Sequence, residues 1–160
     1  MADIVSDGFT RVAWVTTIAN IAAPTTTELN AGILLHDIMT SDGFSGFDPS
    51  TAAIVTSKFS STFDTSQPGR ISYTGTMLRF CKQLSGDTIY TTMYAKGVNG
   101  FVVVRRSLAA SAAWASTQPI EVYPSTTGQG RKLDPEPNSL ERWESPIMFS
   151  LQPNLLAAVA

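Results

Sequence analysis

The side chains able to do chemistry are few and scattered. The one histidine, His36, is followed by Asp37 inside the apolar run ILLHDIM, Ile33–Met39. A His–Asp pair suits acid–base work or metal ligation, but neighbours on a strand point to opposite faces and do not share a ligand. Zinc sites built from several Cys and His residues are excluded, since the chain has one of each. A Ser–His–Asp hydrolase would also need His36, yet G-x-S-x-G is absent and Ser45 sits in the turn-like GFSGF. Cys81 lies between Phe80 and Lys82 with no second cysteine or histidine near in sequence, so a packed core thiol is expected. Gly128 and Gly130 in GQGRK lack the G-x-x-x-x-G-K-[ST] pattern of a phosphate loop and read as a mobile loop. Arg105 and Arg106 follow FVVV, so on a strand one faces each way, one pairing inside an interface and the other meeting solvent. No catalytic residue, cofactor-binding residue or metal ligand is assigned, no cofactor is expected, and the chain does not read as an enzyme.

Composition points the same way. The chain has 160 residues, 43% of them hydrophobic but only 15% charged, and Ser and Thr number 17 and 19. Its plentiful aromatic and β-branched residues separate it from disordered chains. So little charge leaves a poorly self-repelling surface, suited to packing against other copies. A net charge of −2 provides no basic footprint for sustained nucleic-acid binding. One cysteine permits no intrachain disulfide. The opening MADIVSDGFTRV carries acids and no apolar core of a secretory signal, and no run of about 18 apolar residues predicts a membrane span.

The elements that must position these residues are mostly strands. Residues 1–10 read as an N-terminal arm, and Arg11–Ile18 as a strand. In APTTTELNAG, Thr25 and Glu28 have capping-box spacing and Gly32 stands where a left-handed helix cap would, which predicts one or two helical turns. Ile33–Met39 resumes strand composition. Residues 40–69, with Gly43, Gly46, Pro49, Pro68 and Gly69 around the strand-like AAIVTSKF, predict a long protruding loop or hairpin. Arg70–Lys82 reads as a long strand whose alternation changes phase near Gly75, a bulge or bend. The best helix spans about 87–96: Asp87 is its N-cap, and Ile89/Met93 and Tyr90/Tyr94 are i,i+4 pairs. Gly100–Arg106 and Pro119–Tyr123 read as strands, the second ended by Pro124. Ser125–Ser139 reads as a loop, and Arg142–Leu151 as a last strand with Pro146 at an edge or bulge. The apolar NLLAAVA, within a C-terminal segment 145–160, predicts that the tail docks on something. Trp14, Trp114 and Trp143 share no period and read as core or interface anchors.

Six or seven strands with one real helix predict a mainly β protein, an antiparallel sandwich or barrel with a flanking helix, in one domain of 1–160. With no active site in view, a β-rich chain of low charge, with a long excursion and irregular ends, suits an assembly subunit.

The residues carry a resemblance along most of the chain. TRVAWVTTIANIAAPTTTELNAGILL (Thr10–Leu35) resembles the N-terminal region of major tail proteins, the tail tube proteins of long-tailed bacteriophages, especially those of actinobacterial phages. STFDTSQPGRISYTGTMLRF (Ser61–Phe80), GDTIYTTMYAKGVNGFVVVRR (Gly86–Arg106), AWASTQPIEVYP (Ala113–Pro124) and the ending SPIMFSLQPNLLAAVA continue the likeness in the same order, with residues 40–60 divergent. The resemblance implies a β-sandwich-like barrel that forms hexameric rings and stacks into a hollow tube with an acidic lumen, through which genomic DNA passes without specific binding. It implies partners beyond further copies of the chain: a tape measure protein, a tail terminator and a distal tail protein. It also implies a place in the virion tail, with assembly in the host cytoplasm and no membrane insertion. Loop 40–69 and the terminal arms would join one ring to the next. Candidate inter-subunit contacts are Phe44, Phe47, Phe59, Phe63, Trp143, Leu155 and Leu156. The competing assignment of the four phenylalanines is the subunit's own core, more so for Phe59 and Phe63 than for Phe44 and Phe47 beside their glycines. On this reading, deleting 43–60 would leave a folded subunit unable to stack. The alternatives are a tube protein of a contractile tail, gene-transfer or related injection particle, and a monomeric β-sandwich binding or adhesin module.

Overall fold

The computed structural model describes residues 3–160, so the first two residues of the expected arm lie outside the described part. Strand β1 is Thr10–Val15, helix α1 Thr26–Asn30, β2 Ile33–Leu34 and β3 Met39–Ser45. They are followed by β4 Ser50–Val55, β5 Ser66–Ser72, β6 Met77–Cys81, α2 Thr88–Met93 and β7 Asn99–Arg106. The chain ends with β8 Pro119–Thr127, β9 Arg131–Lys132, β10 Arg142–Phe149 and β11 Asn154–Ala158. The protein is mainly β, and every pairing is antiparallel.

One sheet runs β2-β1-β7-β8-β10-β6-β3, with β11 added to β8 and β9 to β10; β4 and β5 form a separate two-stranded hairpin. Seven strands laid flat would put β2 and β3 about 29 Å apart at ~4.8 Å per spacing. Only Leu35–Ile38 join those two strands, and that link reaches no more than about 18 Å. The sheet therefore curls on itself into a half-barrel, which meets the expected architecture.

The curl creates two cores. Inside it, Val12, Trp14, Phe47, Leu78, Phe80, Val102, Val104, Tyr123 and Trp143 pack with Ile89 and Met93 of α2. Outside it, Ala13, Val15, Val103, Ile120 and Val122 pack under Leu29 of α1, Trp114, Ala157 and Val159. Strands β1, β7 and β8 are thus covered on both faces, which is why RVAWV and FVVV are continuous apolar runs rather than alternating ones.

Several local expectations need correction. The capping box forms, with Glu28 N–H donating to Thr25 Oγ1 at 3.3 Å and Thr25 N–H to Glu28 Oε2 at 2.7 Å. Its helix ends at Ala31, and Gly32 after it has no positive φ, so it is no left-handed cap. A Cβ there would lie 2.8 Å from the Trp14 carbonyl and from Val15 Cγ2, so glycine is needed for close approach. The long strand 70–82 is two strands, parted where Gly75 (φ +67) turns the chain away. Helix 87–96 is shorter, Thr88–Met93, because the chain leaves helical geometry after Tyr94 N–H donates to the Tyr90 carbonyl, and it turns at Gly97 (φ +87). Asp87 caps it as expected, accepting from Tyr90 N–H at 3.0 Å.

Pro124 and Pro146 both lie within central strands. Pro124 does not end β8: its carbonyl accepts from Ser150 N–H at 3.0 Å, so its nitrogen faces the gap between β10 and β11, where no donor is required. Pro146 marks the point where β10 leaves β6, paired over Arg142–Pro146, for β8, paired over Ile147–Phe149. The expected loop at 125–139 therefore begins only after Thr127 and is interrupted by β9. The apolar tail docks on its own chain, as β11 against β8.

Trp143 is the largest inward-facing residue of β10, wholly buried, with Phe80 at 4.7 Å and Tyr90 at 5.2 Å between ring centroids. Trp143→Ala is expected to destabilise the chain by about 3–5 kcal/mol, because a cavity replaces the ring. Urea unfolding followed by tryptophan fluorescence measures it; a loss under about 1 kcal/mol would show that the interior is not organised around this ring.

Candidate functional site

His36 lies in the turn joining β2 to β3, not on a strand. Its Nδ1 sits 3.3 Å from the Val12 carbonyl oxygen, and its Nε2 3.5 Å from Asp37 Oδ1, so the two side chains do meet, across a turn. Among the described residues, no three His, Cys, Asp or Glu side chains gather as a metal site would require. Cys81 is only half-buried, at the end of β6 opposite Arg142, rather than in the core. Gly128 and Gly130 are not in a loose loop. Gly128 N–H donates to the Pro146 carbonyl at 2.8 Å and Gly130 N–H to that of Tyr94 at 2.9 Å, and both residues are buried. A Cβ on Gly130 would lie 2.6 Å from the Tyr94 ring, so this stretch is the strap that holds α2 to the sheet.

The arginine pair separates as alternation requires, but within one chain. Arg106 faces out and grips Glu121, Nε to Oε1 at 3.0 Å. Arg105 is fully buried and lies directly across β1–β7 from Arg11. Their guanidinium carbons stand 5.2 and 5.1 Å from the Trp114 ring centroid. No carboxylate neutralises them among the described residues. Arg105 instead donates to the carbonyls of Ala109, Ala112 and Ala113 and to Gln118 Oε1, and Arg11 to those of Ala110 and Ala112. Burial, then the neighbouring Arg11 charge, pulls Arg105 below the usual arginine range. The two arginines work as a clamp on the backbone of the Ala-rich connector, which has few side chains to hold itself down.

A second charge group crosses the outer face of β10. Glu144 is buried and sits directly opposite Arg79 on β6 and Arg131 on β9. Both guanidinium Nε groups donate to its carboxylate, Arg79 at 3.0 Å, and Arg79 also reaches Asp42 at 2.6 Å. Burial pushes the Glu144 carboxyl upward, but the bonds from Arg131 and Arg79 outweigh it and hold the group below its ordinary range. Both charge groups tie separate segments of the fold together.

What remains open to a partner is the β4–β5 hairpin and the trough beside it. Both strands are exposed on nearly every residue. The hairpin carries Ile54, Val55 and Ile71 at 53, 68 and 51% exposure, and at its tip Phe59 and Phe63 at 110 and 74%. Beside its base lies a trough of about 890 Å³ between β5 and the end of β10. The trough exists because β6 stops at Met77 and Gly75 carries the chain away, leaving Met148 and Phe149 paired with β8 alone.

The candidate contact residues therefore divide. Phe59, Phe63, Leu155 and Leu156 offer surface, the last at 95% exposure. Phe47 and Trp143 are buried in the subunit's own core, and half-buried Phe44 stacks on Phe47 with centroids 4.0 Å apart. The division among the phenylalanines is the reverse of the expected one. Gly43 and Gly46 mark close backbone approach, not flexibility: a Cβ on Gly43 would lie 2.6 Å from the Arg79 carbonyl oxygen, and Gly46 abuts Gly75. The trough was missed from sequence because its walls come from residues about 75 positions apart that only the curl brings together; the phase change at Gly75 was the one available signal.

The Glu144 geometry sets a pH dependence. Because its folded pKa is depressed, its contribution is present above the unfolded value and is lost as pH falls through the folded one. Glu144→Gln should lower stability at pH 7 by about 1–3 kcal/mol, with the deficit shrinking below about pH 4. Denaturant melts at pH 7, 5 and 3.5 measure it, and a deficit independent of pH would contradict the assignment.

Comparison with known proteins agrees with this picture. A solved structure titled as the baseplate of the anti-feeding prophage, determined by cryo-electron microscopy with sixfold symmetrisation, contains a chain of similar fold. The TM-score is 0.63 over 98% of each chain, at 9% sequence identity. No curated protein matches. The family model described as phage tail tube protein matches residues 1–160, so the chain belongs to the phage tail tube protein family.

Proposed function

We propose that this chain is the repeating subunit of a tail tube, whose hexameric rings stack into a hollow conduit for genomic DNA. The observation that carries the reading is the β4–β5 hairpin. A two-stranded ribbon exposed on both faces is barely stable in water, and apolar side chains such as Ile54, Val55 and Phe59 add to the cost of leaving it bare. A neighbouring subunit supplies what the hairpin lacks, by covering its faces and pairing its free edges. The net charge of −2 suits a conduit, since repulsion from phosphate keeps DNA from adhering to the wall. Residues 3–9 and the exposed Leu155 and Leu156 are further contact surfaces in this assembly. The tube would lie in the virion tail of a long-tailed phage, with the actinobacterial type as the sequence likeness has it. It would be assembled in the host cytoplasm with a tape measure protein inside and terminator and distal tail proteins at its ends.

The likeness to a chain of the anti-feeding prophage baseplate favours one second reading, a tube of a contractile or injection-type particle. Both readings expect rings and hollow tubes, and a sheath protein encoded alongside would select the second. Negative-stain microscopy of the purified protein tests the shared claim: hollow tubes with a regular ring repeat are expected. Subunits that stay monomeric even with tail-tip partners would favour a solitary binding module instead.

The fold also moves the boundary of the dispensable segment. Deleting 43–60 would remove Phe47 from the core and is expected to unfold the chain. Thr56 and Thr65 close the ladder, with Thr56 N–H donating to the Thr65 carbonyl at 2.8 Å. Replacing residues 57–64 by a two-residue Asn-Gly turn is therefore expected to keep the wild-type melting temperature within a few degrees while abolishing tubes in the same microscopy assay. Normal tubes from this variant would remove the hairpin tip from the assembly contact.

A further inference from the structure

No described residue of its own chain fills the trough beside the hairpin. Its walls are apolar, chiefly Ile71, Tyr73, Met148, Phe149 and Leu151, and its charged lining residue is Arg70. Arg70 is exposed and makes no ion pair among the described residues. The hairpin tip has the complementary character: Phe59 and Phe63 project into solvent, and Asp64 beside them is exposed without a cationic partner among the described residues. Lys58 stands on the other side of Phe59, so the tip as a whole is neutral and its acid is on the Phe63 side.

A chain cannot seat its own tip. The trough begins at the hairpin's base, around Gly69–Tyr73, and the tip lies about 20 Å further along the ribbon at ~3.4 Å per residue. Folding it back would break the β4–β5 ladder. Knob and hole are therefore two different surfaces of one molecule, the arrangement that propagates from copy to copy without closing on itself as a dimer.

Resting on the tube reading above, we infer that the trough between β5 and the end of β10 receives the hairpin tip of a second copy of this chain. Phe59 and Phe63 would enter the apolar floor, and Asp64 would pair with Arg70. The apolar contact supplies the affinity, and the ion pair sets the orientation, since a charge pair at a partly desolvated rim discriminates register more than it binds.

Charge reversal tests the seat without touching the core, because Arg70 and Asp64 are both exposed. Arg70→Glu and Asp64→Lys should each raise the critical concentration for tube formation about tenfold or more, as two- to fivefold per contact compounds around a ring. The double variant Arg70→Glu/Asp64→Lys should recover to within about threefold of wild type. Circular dichroism melts check that all three fold. Two single variants that polymerise like wild type would overturn the seat while leaving the tube reading standing. A defective Arg70→Glu that Asp64→Lys fails to rescue would place a different occupant in the trough and overturn the assignment to the tip. Wild-type protein that never polymerises, even with tail-tip partners, would overturn the tube reading and this seat together.

Discussion

The short link Leu35–Ile38 between the two ends of the sheet is the constraint on which the rest depends. Four residues cannot span a flat seven-stranded sheet, so the sheet has to roll, and rolling decides which side chains meet. It encloses Trp143, Phe80 and Phe47 in one interior and leaves the outer faces of β1, β7 and β8 to be covered by α1, Trp114 and the C-terminal strand. It also makes β10 serve two partners, β6 along its first half and β8 along its second. Pro146 sits at the hand-over, where the ladder has no use for its missing N–H.

Charge is scarce in this chain, and most of it is spent on geometry. Glu144 is flanked on both neighbouring strands by arginines, which joins β6, β10 and β9 across the hand-over. Arg11 and Arg105 pair with no carboxylate among the described residues and bind carbonyls, immobilising a connector of small residues that could not pack on its own. Such buried ionic groups are costly to strip of water and hold only when their donors are satisfied, as most are here. The hydroxyl-rich remainder of the surface asks for little desolvation, which suits a chain whose faces are to be covered by others.

The β4–β5 hairpin is the exception to that economy. It joins neither core among the described residues, and most of its apolar side chains are exposed. Its position beside a trough left by the early end of β6 is a direct product of Gly75, whose positive φ sends the chain out of the barrel. One glycine thus creates both the projecting element and the recess beside it.

Much of the local structure was legible in the sequence, because it rests on contacts between near neighbours. The Thr25–Glu28 capping box, the Asp87 cap, the strand character of RVAWV and GFVVVRR, the hairpin region within 40–69 and the break at Gly75 are all i to i+4 chemistry or period-two patterning. The collinear likeness to tail tube proteins was legible along the chain too, and the chain belongs to that family. Burial was not. Phe44 and Phe47 look like loop residues because glycines flank them, whereas the curl puts Phe47 against Tyr123 and Phe149, far away in sequence, with Phe44 stacked on it. Arg105 and the glycines at 128 and 130 find their partners only through the same long-range path, as does the part of β8 beyond Pro124. Which face of a strand is covered, and by what, depends on the path of the whole sheet, and no local pattern carries that information.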